Sequence, residues 1–482
     1  GFFLGYLGLE PYVMTSVTSL LKLPEVLLLP LGLVSDCFPL FGSYRRSYML
    51  LAWTLIFFAL LVLSRKTLPA PTFCQFEDGS YNWDVPPCHP ETRDEKNWFV
   101  YPLCLLYFGT VLGTVTEEGL LLQYSMMEPR SRRGHIKAEM TMVMLAGGQA
   151  ASIMLGFCMN GREYLGTFDW GLSFTMVMRI LLVMALLMIP VTQLAIYEPQ
   201  LQERMEPVPL SAHMQSSWKL VQGKALASVL LFAFVVQYLV TFASTAGPYV
   251  RSQWAGVKQL QQQIFSILSQ LTMMIAVYMF KVRFLQASWQ RVFLVAIISS
   301  TCLDMVPTFL AVFDIFRNQY FFLGELVLTA FPMAAITLVA NLLIIEMAEP
   351  GLEGLCYGLI GTLQHASQPL ATATSNQVFG LFQPSLSNLK NYVADTPQFR
   401  NTVAWSYVLT YGTAFLGTAC AKLMPRQKEE AQRRKQEWGN STAVAILVLA
   451  VPSASLVYGV TMLILTSQPQ TACLRLVGGQ GC

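Results

Sequence analysis

Charge is what this chain has least of. Only 12% of its residues are Asp, Glu, Lys or Arg, against 54% that are hydrophobic, where a soluble domain carries about 25% charged residues. That shortage excludes a soluble globular protein of this length. Histidine is scarcer still, with four in 482 residues, and no CxxC, HExxH or compact His/Cys cluster occurs. No structural metal and no cofactor is therefore expected. Nor is there a nucleophile–base cluster of the kind a membrane enzyme needs, so the chain reads as no enzyme. The net charge of +3 is spread over alternate loops and forms no continuous basic face, which argues against nucleic-acid binding.

Apolar runs of about 20 residues are what the chain does have, recurring from end to end. They read as an all-α polytopic bundle whose surroundings are a lipid bilayer. The opening GFFLGYLGLEPY resembles the surviving end of a first membrane helix, with residues before Gly1 expected to be missing. Spans are then expected at 14–33, 48–63, 98–124, 138–158, 172–196, 225–246, 262–280, 292–313, 321–345, 355–379, 402–423 and 443–465. Pro24 and Pro30 should kink the first complete span. The acidic loop 66–97 marks the outer side, and PRSRRGHIK at 129–137 marks the inner side.

The chain divides at its Pro-rich central connection. We expect an N-terminal bundle of about six helices over 1–197 with its first helix truncated, and a central cytoplasmic loop over 198–224. A second such bundle should cover 225–424, followed by a charged cytoplasmic linker at 425–440, one extra span at 441–466 and a tail at 467–482. The stretch GLVSDCFPLFGSYRR, residues 32–46, closes one span and opens the next with Asp36, Arg45 and Arg46 between them. It reads either as a switching hinge or as an ordinary inner loop whose arginines follow the positive-inside rule. KVRFLQASWQR at 281–291 occupies the same place in the second half, which suggests duplication. Asp36 has three candidate partners: the adjacent arginines, the PRSRRG loop, and the connection near Tyr197.

Ionisable residues inside spans are costly unless paired or facing water, so each is a candidate site. Glu117 and Glu118 fall in the fourth helix, Arg179 in the sixth, Asp304 in the ninth, and Glu325 and Glu346 in the tenth. Glu118, with Thr114 and Thr116 nearby, reads as a proton or substrate carboxylate, and Gln123 would line the same route. Arg179 reads as a structural ion-pair member or an anion contact. Glu325 is favoured over Glu346 as a cavity residue, since Glu346 begins an inner loop. Cys74 and Cys88 share the outer loop, where an oxidising environment allows a disulfide that spacing alone does not fix.

Several of these segments resemble the folate/biopterin transporter family, a branch of the major facilitator superfamily. The hinge GLVSDCFPLFGSYRRSYM matches that family's hinge in its Ser-Asp pair, its Phe-Pro step and its paired arginines before a tyrosine. GTVTEEGLLLQYSMME resembles a segment where the family places acids; here Thr114, Glu118 and Glu128 stand at those positions, Thr114 being a departure. GELVLTAFPM puts Glu325 where the family has Asp, and AEPGLEGLCYGLIGTLQHASQPL supplies Pro350, Gly351, Glu353 and Gly354. The resemblance implies two six-helix bundles plus one extra C-terminal helix, of protozoan/oomycete-like type. It further implies alternating access with Asp36, Arg45, Arg46 and Glu353 as gating residues. A folate, biopterin or related pteridine is the implied substrate and a proton the implied coupling ion, in a monomer of the plasma membrane. S-adenosylmethionine, or a non-transporting receptor on the same fold, are the alternatives.

Overall fold

The computed structural model describes residues 2–7, 21–76, 81, 86–129, 132–164, 168–198, 210–467, 470–471 and 474–478. The beginning of the expected 14–33 span, several acids of the outer loop, Arg130 and the proline-rich stretch 199–209 lie outside them. The chain is helical almost throughout. A 3-10 turn at Leu23–Leu27, begun by Pro24, leads into α1 (Leu28–Cys37). Next come α2 (Arg46–Arg65), α3 (Lys96–Met127), α4 (His135–Cys158) and α5 (Phe174–Ala195). The central connection is not entirely polar loop as expected: α6 (Leu210–Gln222) forms there, exposing Met214 and Trp218. Its apolar residues recur at helical spacing within a polar composition, so the mean apolarity of the stretch hides them.

The second half contains α7 (Lys224–Thr241), α8 (Gln259–Arg283), α9 (Trp289–Val312), α10 (Gln319–Met347) and α11 (Glu353–Gly380). After it come α12 (Leu389–Ala394), α13 (Pro397–Leu416), α14 (Lys428–Glu437) and α15 (Thr442–Ser467). α7 stops at Thr241, short of the expected 246, and the chain re-forms as a turn of helix Gly247–Tyr249 running into a π-helical turn Val250–Trp254. Helix starts follow their caps. Asn318 accepts from the amides of Tyr320 and Phe321, Ser173 from Met176, and Thr396 from Phe399 with Pro397 in the first turn. Among the described residues nine helices are long and apolar enough to cross a membrane. α4 shows what that environment asks, since Val143, Met144, Ile153, Leu155 and Phe157 are all exposed on it.

Contacts gather the chain into two compact units. The first holds Gly1–Leu121, Ala150–His213 and Pro350–Thr362. Its core places Phe2 and Tyr6 against Phe99, Tyr164 and Phe174, with Ile56, Leu60 and Leu63 of α2 facing Val177 and Ala185 of α5. Cys74 and Cys88 are joined by a disulfide across the outer loop. The second unit holds Leu122–Gln149, Met214–Glu349 and Leu363–Cys482. Its larger core surrounds Trp254, Tyr392 and Phe399, and a smaller one brings Ala138 of α4 against Ala276, Val277, Ala334 and Leu338. Each half of the sequence therefore contributes one segment to the unit built mainly by the other. Salt bridges and hydrogen bonds hold both segments in place.

Candidate functional site

In the first unit the hinge closes on the start of α11. Arg45 has a side chain only 1% exposed, and it forms an ion pair with Asp36 and a second with Glu353 at 3.2 Å; both carboxylates are fully buried. Its other terminal nitrogen donates to Ser35 Oγ at 2.7 Å. Asp36 also accepts from the backbone amides of Gly354 at 3.1 Å and Leu355 at 2.6 Å, so it caps α11 where the helix dipole favours an anion. Glu353 accepts from the amide of Gly351 at 2.9 Å. The two terminal nitrogens of the guanidinium and the Asp36 carboxylate have thus found partners, while Arg45 Nε is buried without one.

Glycine makes this closure possible. A Cβ on Gly32 would lie 2.1 Å from the carbonyl oxygen of Gly354, and one on Gly358 would lie 2.5 Å from that of Leu28. Backbone therefore meets backbone between α1 and α11. Gly119 of α3 gives the guanidinium its remaining room, since a Cβ there would come within 2.8 Å of Arg45 Cζ. Glu198 braces the hinge from below: it accepts from Ser43 Oγ at 2.5 Å and from the amides of Tyr44 and Arg45. Of the partners open to Asp36, Arg45 is the one it meets, and the connection beside Tyr197 contributes through Glu198. Arg46, grouped with them by sequence, is half-buried and forms no ion pair with a described residue.

The second unit carries its own inner network. Arg133 reaches both oxygens of Glu346 at 3.2 and 3.1 Å, and Gln432 of α14 donates to Glu346 at 2.7 Å. Glu128 caps α4, accepting from the amides of Gly134 at 2.7 Å and Ile136 at 3.0 Å. Lys428 of α14 donates to the Arg133 carbonyl, and Lys281 of the second hinge pairs with Glu139. Burial lowers the Lys428 ammonium from its ordinary value, against the pull of Glu346.

The remaining candidates divide into groups. Glu118 is buried on α3, with Glu117 beside it and the Tyr357 hydroxyl within electrostatic reach of both. Thr114 is half-buried, whereas Thr116 spends its hydroxyl on the carbonyls of Leu112 and Gly113 within its own helix. Gln123 is buried in the second unit's part of α3. Arg179 is exposed and is not brought to any described acid; it donates at 3.4 Å to the carbonyl of Ser64, in the last turn of α2. Glu325 accepts from Thr329 Oγ1 at 3.2 Å and lies close enough to Asp304 and Arg251 for their charges to interact. The sequence reading missed Arg251, Glu198 and Glu25, which Tyr107 hydrogen-bonds, and it placed Arg133 only within the PRSRRG loop without its partner Glu346. Among the described residues no group of three or more metal-ligating side chains assembles.

A family model described as BT1 family matches residues 1–74, the stretch that contains the hinge. No curated protein matches the chain. Similar solved structures include the proton:xylose symporter XylE bound to 6-bromo-6-deoxy-D-glucose, at TM-score 0.57 and 13% identity over 89% of this chain and 91% of that one. The human organic anion transporter MFSD10 (TETRAN) gives TM-score 0.53 and 14% identity over 84% and 83%. A bacterial homologue of the iron transporter ferroportin in the outward-facing state gives 0.51 and 11% over 84% and 88%. The fold is that of the major facilitator superfamily, and the chain is a multi-pass membrane protein.

Proposed function

We propose that the chain is a secondary active transporter of folate, biopterin or related pteridines, working by alternating access. The observation that carries the transport reading is the buried Asp36–Arg45–Glu353 latch. A static scaffold gains little from a buried ion triple, because the desolvation cost roughly cancels the attraction. A two-state gate uses that balance: a closure held by charges that water can resolvate opens for a few kcal/mol, about the bias a switching element needs. Asp36, Arg45 and Glu353 act as the latch, with the half-buried Arg46 beside it in sequence as a further gating residue. The fold is shared with a proton:xylose symporter and a human organic anion transporter, which supports the reading.

The pteridine assignment rests on the matched hinge and on the resemblance of GTVTEEGLLLQYSMME and the Glu325 and Glu353 segments to the folate/biopterin transporters. Glu118, Thr114 and Gln123 are the proposed substrate contacts, Glu325 is a proton site, and Arg179 serves as a flanking cation. The plasma membrane is the proposed location. The test is uptake of labelled folate, biopterin and S-adenosylmethionine by proteoliposomes, each with and without an imposed proton gradient. Uptake of folate or biopterin that is abolished by Glu118→Gln supports the assignment. Binding without flux would favour a receptor, and uptake of S-adenosylmethionine alone would move the substrate.

A further inference from the structure

The second unit contains a basic cleft that neither inner network uses, built wholly from that unit's own segments. It has a volume of about 670 Å³ and is lined by Lys422, Arg426, Glu429, Glu430, Arg433 and Arg434, together with Gln290 of α9. That size is ample for a small ligand. The backbone around it is held from several directions. The Trp289 amide donates to the Arg426 carbonyl at 2.8 Å, and Gln290 Nε2 donates to the Met424 carbonyl at 2.6 Å. Gln427 Nε2 reaches the Ala287 carbonyl at 2.8 Å, and the Arg426 amide donates to Glu430 at 2.9 Å.

Charge balance decides what such a cleft takes up. Four cations face two acids, and the acids do not occupy the cations evenly. Arg434 is committed: it pairs with Glu430 at 2.6 Å, donates to the Leu423 carbonyl at 2.8 Å and lies 4.8 Å over the Trp438 ring. Lys422 and Arg426 are exposed and form no ion pair with a described residue. Arg433 meets only Glu437, at 3.6 Å, with both side chains more than half exposed. Three cations are therefore open to an anion, and two of them are guanidinium forks of the shape that phosphate oxygens fit.

Position selects the source of that phosphate. α9 begins at Trp289 and α15 at Thr442, and both are long and apolar enough to cross a membrane, so the cleft lies where spans meet water. Trp438, 40% exposed, is of the residue type that settles at headgroup level. Between 422 and 438 the chain has six Lys or Arg against three Glu. A connection so rich in cations belongs on the cytoplasmic face, whose leaflet carries anionic lipid. We infer that the cleft binds the headgroup phosphates of an anionic phospholipid, with Lys422, Arg426 and Arg433 as the phosphate contacts and Arg434 holding α14 against the preceding turn. This binding does not depend on which solute the chain carries.

The experiment titrates the delipidated full chain in detergent with phosphatidylinositol 4,5-bisphosphate or with phosphatidylcholine, reading the bound fraction by native mass spectrometry. The anionic lipid should bind more tightly. The double variant Lys422→Gln with Arg426→Gln should weaken it roughly tenfold or more and leave phosphatidylcholine unchanged. Lys219→Gln with Arg283→Gln removes the same charge from exposed positions outside the cleft and should stay within about twofold of wild type. Unchanged affinity in the first pair, or an equal loss in the second, would overturn the site. Soluble inositol 1,4,5-trisphosphate, titrated in parallel, should bind at least about tenfold more weakly than the lipid, because it brings no acyl chains. Equal affinity would overturn the lipid assignment in favour of a soluble phosphate ligand. If the first pair does not fold, by size exclusion and thermal unfolding, Lys422→Gln and Arg433→Gln replace it singly. Each should weaken the anionic lipid about threefold or more, and no change in either would overturn the site.

Discussion

Arg45 stands between two carboxylates that water does not reach, and what its removal would do follows from what it leaves behind. Arg45→Ala strands Asp36 and Glu353 beside each other without a counter-ion, a loss of about 3–5 kcal/mol for a broken buried pair. Thermal unfolding in detergent should show a marked fall in melting temperature, while Arg46→Ala should leave it nearly unchanged; equal effects would remove the distinction between the two arginines. A second residue-scale test lies outside the membrane. Partial burial pushes the Asp395 carboxyl up, but hydrogen bonds and charge from Arg400 and Arg317 outweigh this and hold it at about 2. A folded-state value below the ordinary one of about 3.9 contributes stability that is present above that pH and disappears as pH falls toward 2. The contribution is about 2 kcal/mol, and Asp395→Asn isolates it because asparagine tolerates the left-handed backbone there (φ 47°). The stability gap between variant and wild type should close between pH 4 and pH 2, and a gap constant with pH would assign it to packing. Asp36 and Arg45 were legible in the sequence because charge beside long apolar runs is conspicuous, whereas Glu353 entered only through the family resemblance. Arg251 and Glu198 were not, since their partners lie far along the chain and no local pattern marks them.

At the scale of elements, most of the helices could be read from apolar run length and from Gly, Pro and Asn at their ends. Two places defeated that reading. α6 is amphipathic rather than apolar, and the break after Thr241 follows tertiary contacts, Ser244 meeting Ser406 and Thr410 of α13. Equally illegible was the crossing of α1 and α11, because glycine reports closeness only once its neighbour is known. That crossing makes an ordered prediction. Gly32→Ala drives a Cβ into the backbone of Gly354, which cannot yield, and should abolish the folded protein or cost more than about 3 kcal/mol. Gly361→Ala meets only the end of the Leu28 side chain at 3.1 Å and should cost about 1 kcal/mol. Gly147→Ala, in open space on α4, should be neutral within about 1 kcal/mol. Yields of monodisperse protein and melting temperatures for the three check the order, and Gly32→Ala behaving like Gly147→Ala would contradict the contact.

For the whole molecule, the exchange of segments between the units is the property that local reading could not supply. Sequence divides the chain into contiguous halves, whereas contact places Pro350–Thr362 with the first half and Leu122–Gln149 with the second. The charges account for this. Gly354, Leu355 and Glu353 satisfy Asp36 and Arg45, and Arg133 satisfies Glu346. Neither contiguous half then contains a complete unit. Expressed alone, residues 1–205 would leave Asp36 and Arg45 without the amides and carboxylate that α11 provides, and residues 206–482 would leave Glu346 without Arg133. Each half by itself should therefore be recovered poorly from membranes and unfold at low temperature. Co-expression of the two should restore a stable, co-purifying protein, because the missing segments are supplied in trans and the cut falls away from both networks. The same argument makes Glu346→Gln in the second piece, which weakens the pair with Arg133, reduce co-purification. A half that is as stable alone as with its partner would show that the exchanged segments are incidental to folding.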